Sequence, residues 1–246
     1  MASTSGKIFQ SSRANKVGLS KLLDTTLKTS HDMKIFGIGA LAEFSSTGMY
    51  KHFLVQRFHF YEAMESRFDG SSAGGMAHIW PKFSADLRQS PCLIKDLQAV
   101  GVENPAAVLP AAATRDYVNA ISSACENGLV GHFYCRYFAD LFGGSMLGLP
   151  TSLALSVPDP QFYRFPAHVE GQRRHYIEKL YEAINLAGEK MDEAGKQTAV
   201  RHAELAFDHN AAIIKELGIG SVAVKAIHGA VNVGAGFVKR KLLATT

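Results

Sequence analysis

Apolar residues recur along this chain at spacings of three and four far more often than at alternate positions, which predicts helices and few strands. Residues 19–33 place Leu22, Leu23 and Leu27 on one side of a first helix. Residues 47–68 form a longer one, with Phe53, Leu54, Phe58, Tyr61 and Met64 as a broad buried stripe. Shorter helices are expected over 79–88, 93–100 and 117–127, the last with Thr114 as its N-cap and Asp116 in its first turn. Residues 168–191 turn Tyr176, Leu180, Ala183 and Ala187 inward. Residues 198–217 end at Gly218, a good glycine for a helix C-terminus. Loops are expected at 69–76, in the alanine-rich connector bracketed by Pro105 and Pro110, and over the proline-containing run 149–165. No solenoid repeat is present.

One stretch departs from this regularity. In residues 128–148, Leu129, Phe133, Tyr137 and Leu141 stack on one helical face, and His132, Arg136 and Asp140 on another. Gly143 and Gly144 then interrupt the helix. Each glycine costs about 1 kcal/mol relative to alanine in a helix interior, so the pair should kink or loosen it. With Ala139 they form a strip without side chains, flanked by a base and an acid. Close contact with a second helix and a flat ligand lying on bare backbone both account for such a strip.

Composition narrows the class. With 246 residues, 47% of them hydrophobic, the chain can bury a sizeable core, and a single all-α domain is expected. A formal charge of +4 suits an acidic partner, but no basic cluster is long enough to track nucleic acid. Three cysteines without C-x-x-C spacing argue against a disulfide framework or a zinc site and for a reducing compartment. No run of about 18 uncharged apolar residues is present, so no transmembrane anchor is expected. No acid precedes Asp24, while Lys7, Arg13, Lys16 and Lys21 do; residues 1–18 suit a short targeting sequence or an ordinary flexible terminus equally. From Ser221 the chain is glycine-rich and ends in Lys239, Arg240 and Lys241. It is read either as an amphipathic surface-binding helix or as one docked on the core.

The run HFYCRYFADLFGGSMLG, residues 132–148, resembles the distal-helix signature of the haem oxygenases at Arg136, Tyr137, Asp140, Leu141, Gly143 and Gly144, and is closest to the plant-type branch. Weaker likenesses flank it: LDTTLKTSHD to the family's Lys-x-x-His context, RFHFYEAMESRF to its second helix, and Phe207 with Asn210 to its Phe-x-x-Asn pair. The resemblance implies a single all-α domain over residues 19–217, followed by a basic-ended helical tail over 218–246. Haem would lie between the first helix and the kinked distal helix. His31 would be the axial ligand of the iron, and neutral imidazole suits that role. Lys28 would meet a propionate, while Tyr134, Ala139, Gly143, Gly144 and Phe207 would line the macrocycle. Asp140, oriented by Arg136, Tyr61 and Asn210, would hold the water that supplies protons.

The implied function is oxidative cleavage of haem, at once cofactor and substrate, to biliverdin, CO and ferrous iron. It would use O2 and electrons from a ferredoxin or an NADPH-dependent reductase, in a monomer of the plastid or the cytoplasm. Two departures stand out. Ile35 occupies the place where a carboxylate commonly orients the ligand histidine, and Glu178 and Glu182 fall where cations are expected for the propionates. They favour a rival reading, a non-catalytic haem or tetrapyrrole-binding protein of the same fold. A di-iron oxidase would need Glu-x-x-His pairs, which are absent.

Overall fold

The computed structural model describes residues 12–29 and 33–243, and among these there is no strand. Twelve α-helices follow one another: α1 (Gly18–Thr29), α2 (Met33–Glu43), α3 (Thr47–Asp69), α4 (Gly74–Leu87), α5 (Ser90–Ala99), α6 (Ala112–Ser123), α7 (Glu126–Phe142), α8 (Gly148–Leu155), α9 (Ala167–Gly171), α10 (Arg173–Glu189), α11 (Glu193–Lys215) and α12 (Ile219–Leu243). The stripe expected on α3 is buried throughout, as is the inward set of α10. At the centre, Phe68, Trp80, Phe133 and Tyr137 pack ring against ring and join α3, α4 and α7. Such aromatic contacts add about 0.5–1.5 kcal/mol per pair beyond area burial.

The backbone of the architecture is α7 lying along α11. Glycines set that approach: a Cβ on Gly131 would collide with the Ala199 carbonyl, and one on Gly128 with the His202 ring. The close-packing explanation of helical glycines therefore holds for this pair. It does not hold for Gly143 or Gly144, where an added Cβ meets nothing nearer than 3.6 Å. Gly131→Ala should accordingly cost about 3 kcal/mol or more, the upper end of core overpacking. Gly143→Ala should leave stability within about 1 kcal/mol. Urea unfolding of both variants checks this, and equal effects would refute it.

Several local expectations are corrected. Thr114 lies inside α6, fully buried, and does not cap it; the α6 N-terminus is instead held by Glu216, whose carboxylate accepts from the Ala112 and Ala113 amides at 2.9 and 3.2 Å. The run 149–165 is not irregular throughout, since its first part forms α8. The loop expected over 69–76 shrinks to 70–73. Residues 12–17, assigned from sequence to a flexible segment, hold a short 3-10 turn (Ala14–Lys16) tied to α10. Glu178 accepts the Arg13 and Ala14 amides at 3.0 and 2.8 Å, and Asn185 donates to the Ala14 carbonyl at 2.8 Å. The C-terminal tail is one helix of 25 residues docked on α2 and α8, long and apolar enough by length and composition alone to cross a membrane.

Between α7, α11 and α6 sits a histidine cluster. His132 is fully buried, its Nε2 is 3.1 Å from His202 Nδ1, and His209 stacks on Tyr117 with ring centroids 5.1 Å apart. Two neutral rings can share one proton across that gap; two charged rings would oppose N–H to N–H. Burial, reinforced by His202 and His209, pushes the His132 pKa down to about 3. The unfolded chain, titrating at its ordinary value near 6.5, therefore binds the proton first. The stability is complete above about pH 6.5 and is lost as pH falls towards 3, by about 2–3 kcal/mol at pH 4.5. Denaturant midpoints against pH should show this slope in the native chain and a flatter one in His132→Gln.

Candidate functional site

The distal stretch divides where the sequence predicts a break. α7 ends at Phe142, Gly143 takes φ −125° and ψ −37°, a 3-10 turn covers Gly144–Met146, and α8 begins at Gly148. The last helical turns of α7 and the bare backbone after them face a cavity of about 180 Å³. Its walls are Phe36, Gly39, Ala40 and Glu43 from α2, Arg57 and Phe60 from α3, Ala139 and Asp140 from α7, Gly144 and Leu147, and Phe162, Tyr163, Asn210 and Ile214.

Asp140, Arg136, Tyr61 and Asn210 come together here. α3 and α7 cross so that the Tyr61 hydroxyl donates to Asp140 Oδ2 in a short, buried bond. Arg136 Nη1 donates to Asn210 Oδ1 at 2.9 Å, and its Nη2 lies 3.3 Å from Tyr61 Oη and 3.9 Å from Asp140 Oδ1. Asn210 is fixed in turn by its own helix, donating through Nδ2 to the Ala206 carbonyl at 2.5 Å. The Arg136 guanidinium lies over the Phe60 ring at 4.9 Å. Burial raises the Asp140 pKa, and Arg136 and the Tyr61 hydrogen bond restrain that rise. Burial works against the Arg136 charge, but Tyr61 and Asp140 hold it protonated. The result is a polar cluster of four side chains that exposes one carboxylate edge to the cavity.

The other residues expected at the site divide. Ala139 and Gly144 line the cavity, and Gly143 stands at its edge with no side chain packed against it. Phe207 is half-buried against Phe36, ring centroids 4.5 Å apart, and is not part of the wall. Tyr134 is a correction. It points to another face of α7, buried against Phe138 and Tyr181, and its hydroxyl donates to Asp24 of α1. Four positions separate Tyr134 from Phe138 but six separate it from Asp140, which puts the tyrosine and the carboxylate on different helical faces. Glu178 and Glu182 also fall elsewhere, in a separate surface groove with Arg13, Arg173 and Arg174. His31 and the side chain of Lys28 lie outside the described residues.

Sequence reasoning missed a second ionic group. Arg57 clamps Glu43 with both nitrogens, at 2.5 and 2.6 Å, and Tyr163 donates to the same carboxylate at 3.1 Å. Arg57 lies four residues before Tyr61 and so shares its face; a lone charge in an apolar stripe was the available signal. Phe162 and Tyr163 carried none. They reach the cavity because Asp96 on α5 accepts the Gln161 and Phe162 amides at 2.7 and 2.8 Å and pins the loop.

These residues suit a planar, largely apolar ligand. Aromatic and aliphatic walls surround bare backbone on one side, with a buried acid and base at the ligand's edge. Similarity to known proteins points the same way. The family profile described as "Heme oxygenase" matches residues 19–216. A heme oxygenase of Guillardia theta is 26% identical over 186 residues, covering 72% of this chain and 76% of that one. Heme oxygenase 3, chloroplastic, of Arabidopsis thaliana is 25% identical over 170 residues, covering 68% of this chain and 57% of that one. The crystal structure of heme oxygenase-1 from Synechocystis sp. PCC6803 in complex with heme superposes with a TM-score of 0.67 at 25% identity, covering 87% of this chain and 98% of that one. With its profile spanning most of the sequence and its all-α fold shared with a haem-bound relative, the chain belongs to the haem oxygenase family, oxidoreductases for which haem is both substrate and cofactor.

Proposed function

We propose that this chain cleaves haem to biliverdin, CO and ferrous iron, with O2 and an external reductant. The observation that carries the reading is the buried Asp140–Tyr61–Arg136–Asn210 cluster opening onto bare backbone at Gly144. Haem, when bound, supplies the iron that activates dioxygen and the macrocycle that is cut. Tyr61 occupies Asp140 Oδ2 and leaves Oδ1 to hold a water above the Gly144 backbone. Arg136 keeps that carboxylate oriented, and Asn210 keeps Arg136 in place. Asp140 would exchange protons with that water and so keep a proton donor at the edge of the cavity. By the family resemblance His31 would hold the iron, Lys28 would meet a propionate and Phe207 would flank the macrocycle.

The present cavity is smaller than the roughly 300–1,000 Å³ of typical ligand pockets. Entry of a macrocycle therefore requires α2 to draw back from α11. Two contacts would open: Phe36 against Phe207, and Gly39 against Ile214. The donor is an acidic ferredoxin or an NADPH-dependent reductase, steered by the net charge of +4. We take the chain to act as a monomer in a reducing compartment, plastid or cytoplasm, which suits the unpaired state of Cys92, Cys125 and Cys135.

The rival reading is a non-catalytic haem or tetrapyrrole carrier of the same fold. The test is a haem titration followed by turnover with ascorbate or ferredoxin. Bleaching of the Soret band with appearance of a bilin is expected; an unbleached complex establishes the carrier instead. His31→Ala should abolish the normal haem spectrum, and an unchanged spectrum would remove that residue from the iron.

A further inference from the structure

Helix α12 has two apolar faces and the protein covers one of them. The inward face is notched by glycine. Gly229 sits directly on the Leu41 carbonyl of α2 and Gly236 on the Leu153 carbonyl of α8, with Val222 and Ala226 buried beside them. Asn232 donates to the Phe44 and Ser45 carbonyls at 3.0 and 3.1 Å, satisfying the chain just beyond the C-terminus of α2.

On the opposite side, Val224, Ile227, Val231, Val238 and Leu242 fall within about 60° of one another at 3.6 residues per turn. Their exposures are 55, 65, 63, 61 and 63%. Gly234 and Ala235 border this stripe, with the exposed His228 at its edge. Contiguous exposed apolar surface of this kind marks an interaction site.

Three observations select the occupant. The exposed face carries no charge from Ala223 to Val238, whereas the helix closes on Lys239, Arg240 and Lys241. α12 contains no acidic residue. A second copy packed parallel would bring like charges together, and in neither orientation would its own helix complement them, while an anionic lipid surface complements them directly. Finally, the glycine seats and the Asn232 bonds fix the helix to α2 and α8. Spanning a bilayer would tear those contacts and strip the carbonyls they satisfy, so the helix lies along the surface.

We propose that α12 docks the folded protein in the plane of an anionic phospholipid membrane through this stripe, with Lys239 and Lys241, which flank it, among the headgroups. α2 would then meet the pocket with one side and carry the membrane-bound helix on another. The proposal is independent of the reaction assigned to that pocket.

Co-sedimentation of the full chain with vesicles of phosphatidylcholine, with and without about 30% phosphatidylglycerol, tests it. Binding is expected on the anionic vesicles and should weaken with salt. It should be lost in the double variant Val231→Asp, Val238→Asp and fall at least about 30-fold when Lys239, Arg240 and Lys241 become glutamine. Both aspartates replace exposed residues, and circular dichroism confirms that the variant keeps its helices. Three outcomes overturn the proposal. In the first, the chain does not bind anionic vesicles. In the second, it binds neutral and anionic vesicles equally and resists extraction at high pH, which establishes a spanning helix. In the third, sedimentation shows a dimer that the two aspartates dissociate, which makes a second copy the occupant.

Discussion

Asp140→Asn should retain haem binding within about threefold yet form bilin at least about 100-fold more slowly, the low end of what a positioned acid–base group contributes. Asparagine matches aspartate in shape, and its Oδ1 can still accept the Tyr61 hydroxyl. The buried cluster should therefore stay folded, and removing a desolvated charge should not cost stability. What disappears is an oxygen able to hold a water as acceptor and to exchange protons with it. The burial that raises the Asp140 pKa brings its titration closer to working pH than an exposed carboxylate would allow, which suits proton transfer. Single-turnover decay of the Soret band, read beside a haem titration, separates binding from chemistry. Unaltered turnover with normal binding would exclude Asp140 as the proton source. A loss of binding instead would make it a structural residue.

Arg57→Leu should destabilise the fold by about 3–5 kcal/mol, while the double change Arg57→Leu, Glu43→Leu should recover most of that loss. Glu43 is 1% exposed and accepts both guanidinium nitrogens and the Tyr163 hydroxyl. Burial opposes the Arg57 charge, but Glu43 and Tyr163 hold it far above the ordinary arginine range. Remove the arginine and a carboxylate remains in an apolar wall between Phe53 and Phe162 with one hydroxyl for company. Remove both and the desolvation cost vanishes with the attraction. Urea denaturation of the two variants measures the difference. If the double variant is no more stable than the single one, the pair is not the reason for the loss.

The sequence was a good guide wherever a single helix decides the matter. Residues 53, 54, 58, 61 and 64 had to share a face once α3 formed, and 136 and 140 had to share another. The break at Gly143 followed from backbone entropy alone. The sequence also placed Tyr134 beside the ligand through family likeness, although helical phase set it apart from Asp140; the packing of α1 and α10 then claimed it. The N-cap at Thr114 failed because Glu216, 104 residues beyond Ala112, supplies such hydrogen bonds from the end of α11.

The chain by itself determined most of the helices with their buried faces, though not α2 or α8, and also the interruption at Gly143–Gly144 and the family, because each rests on local spacing or on a contiguous motif. Only the tertiary structure decided which glycines seat a neighbouring helix and which leave backbone bare, since that depends on what lies opposite. It alone brought Arg57 onto Glu43 and loop residues 162 and 163 into the pocket wall. It alone left one apolar face of α12 uncovered. These are contacts between segments far apart in sequence, and no local periodicity encodes which partner a buried charge or an apolar face will find.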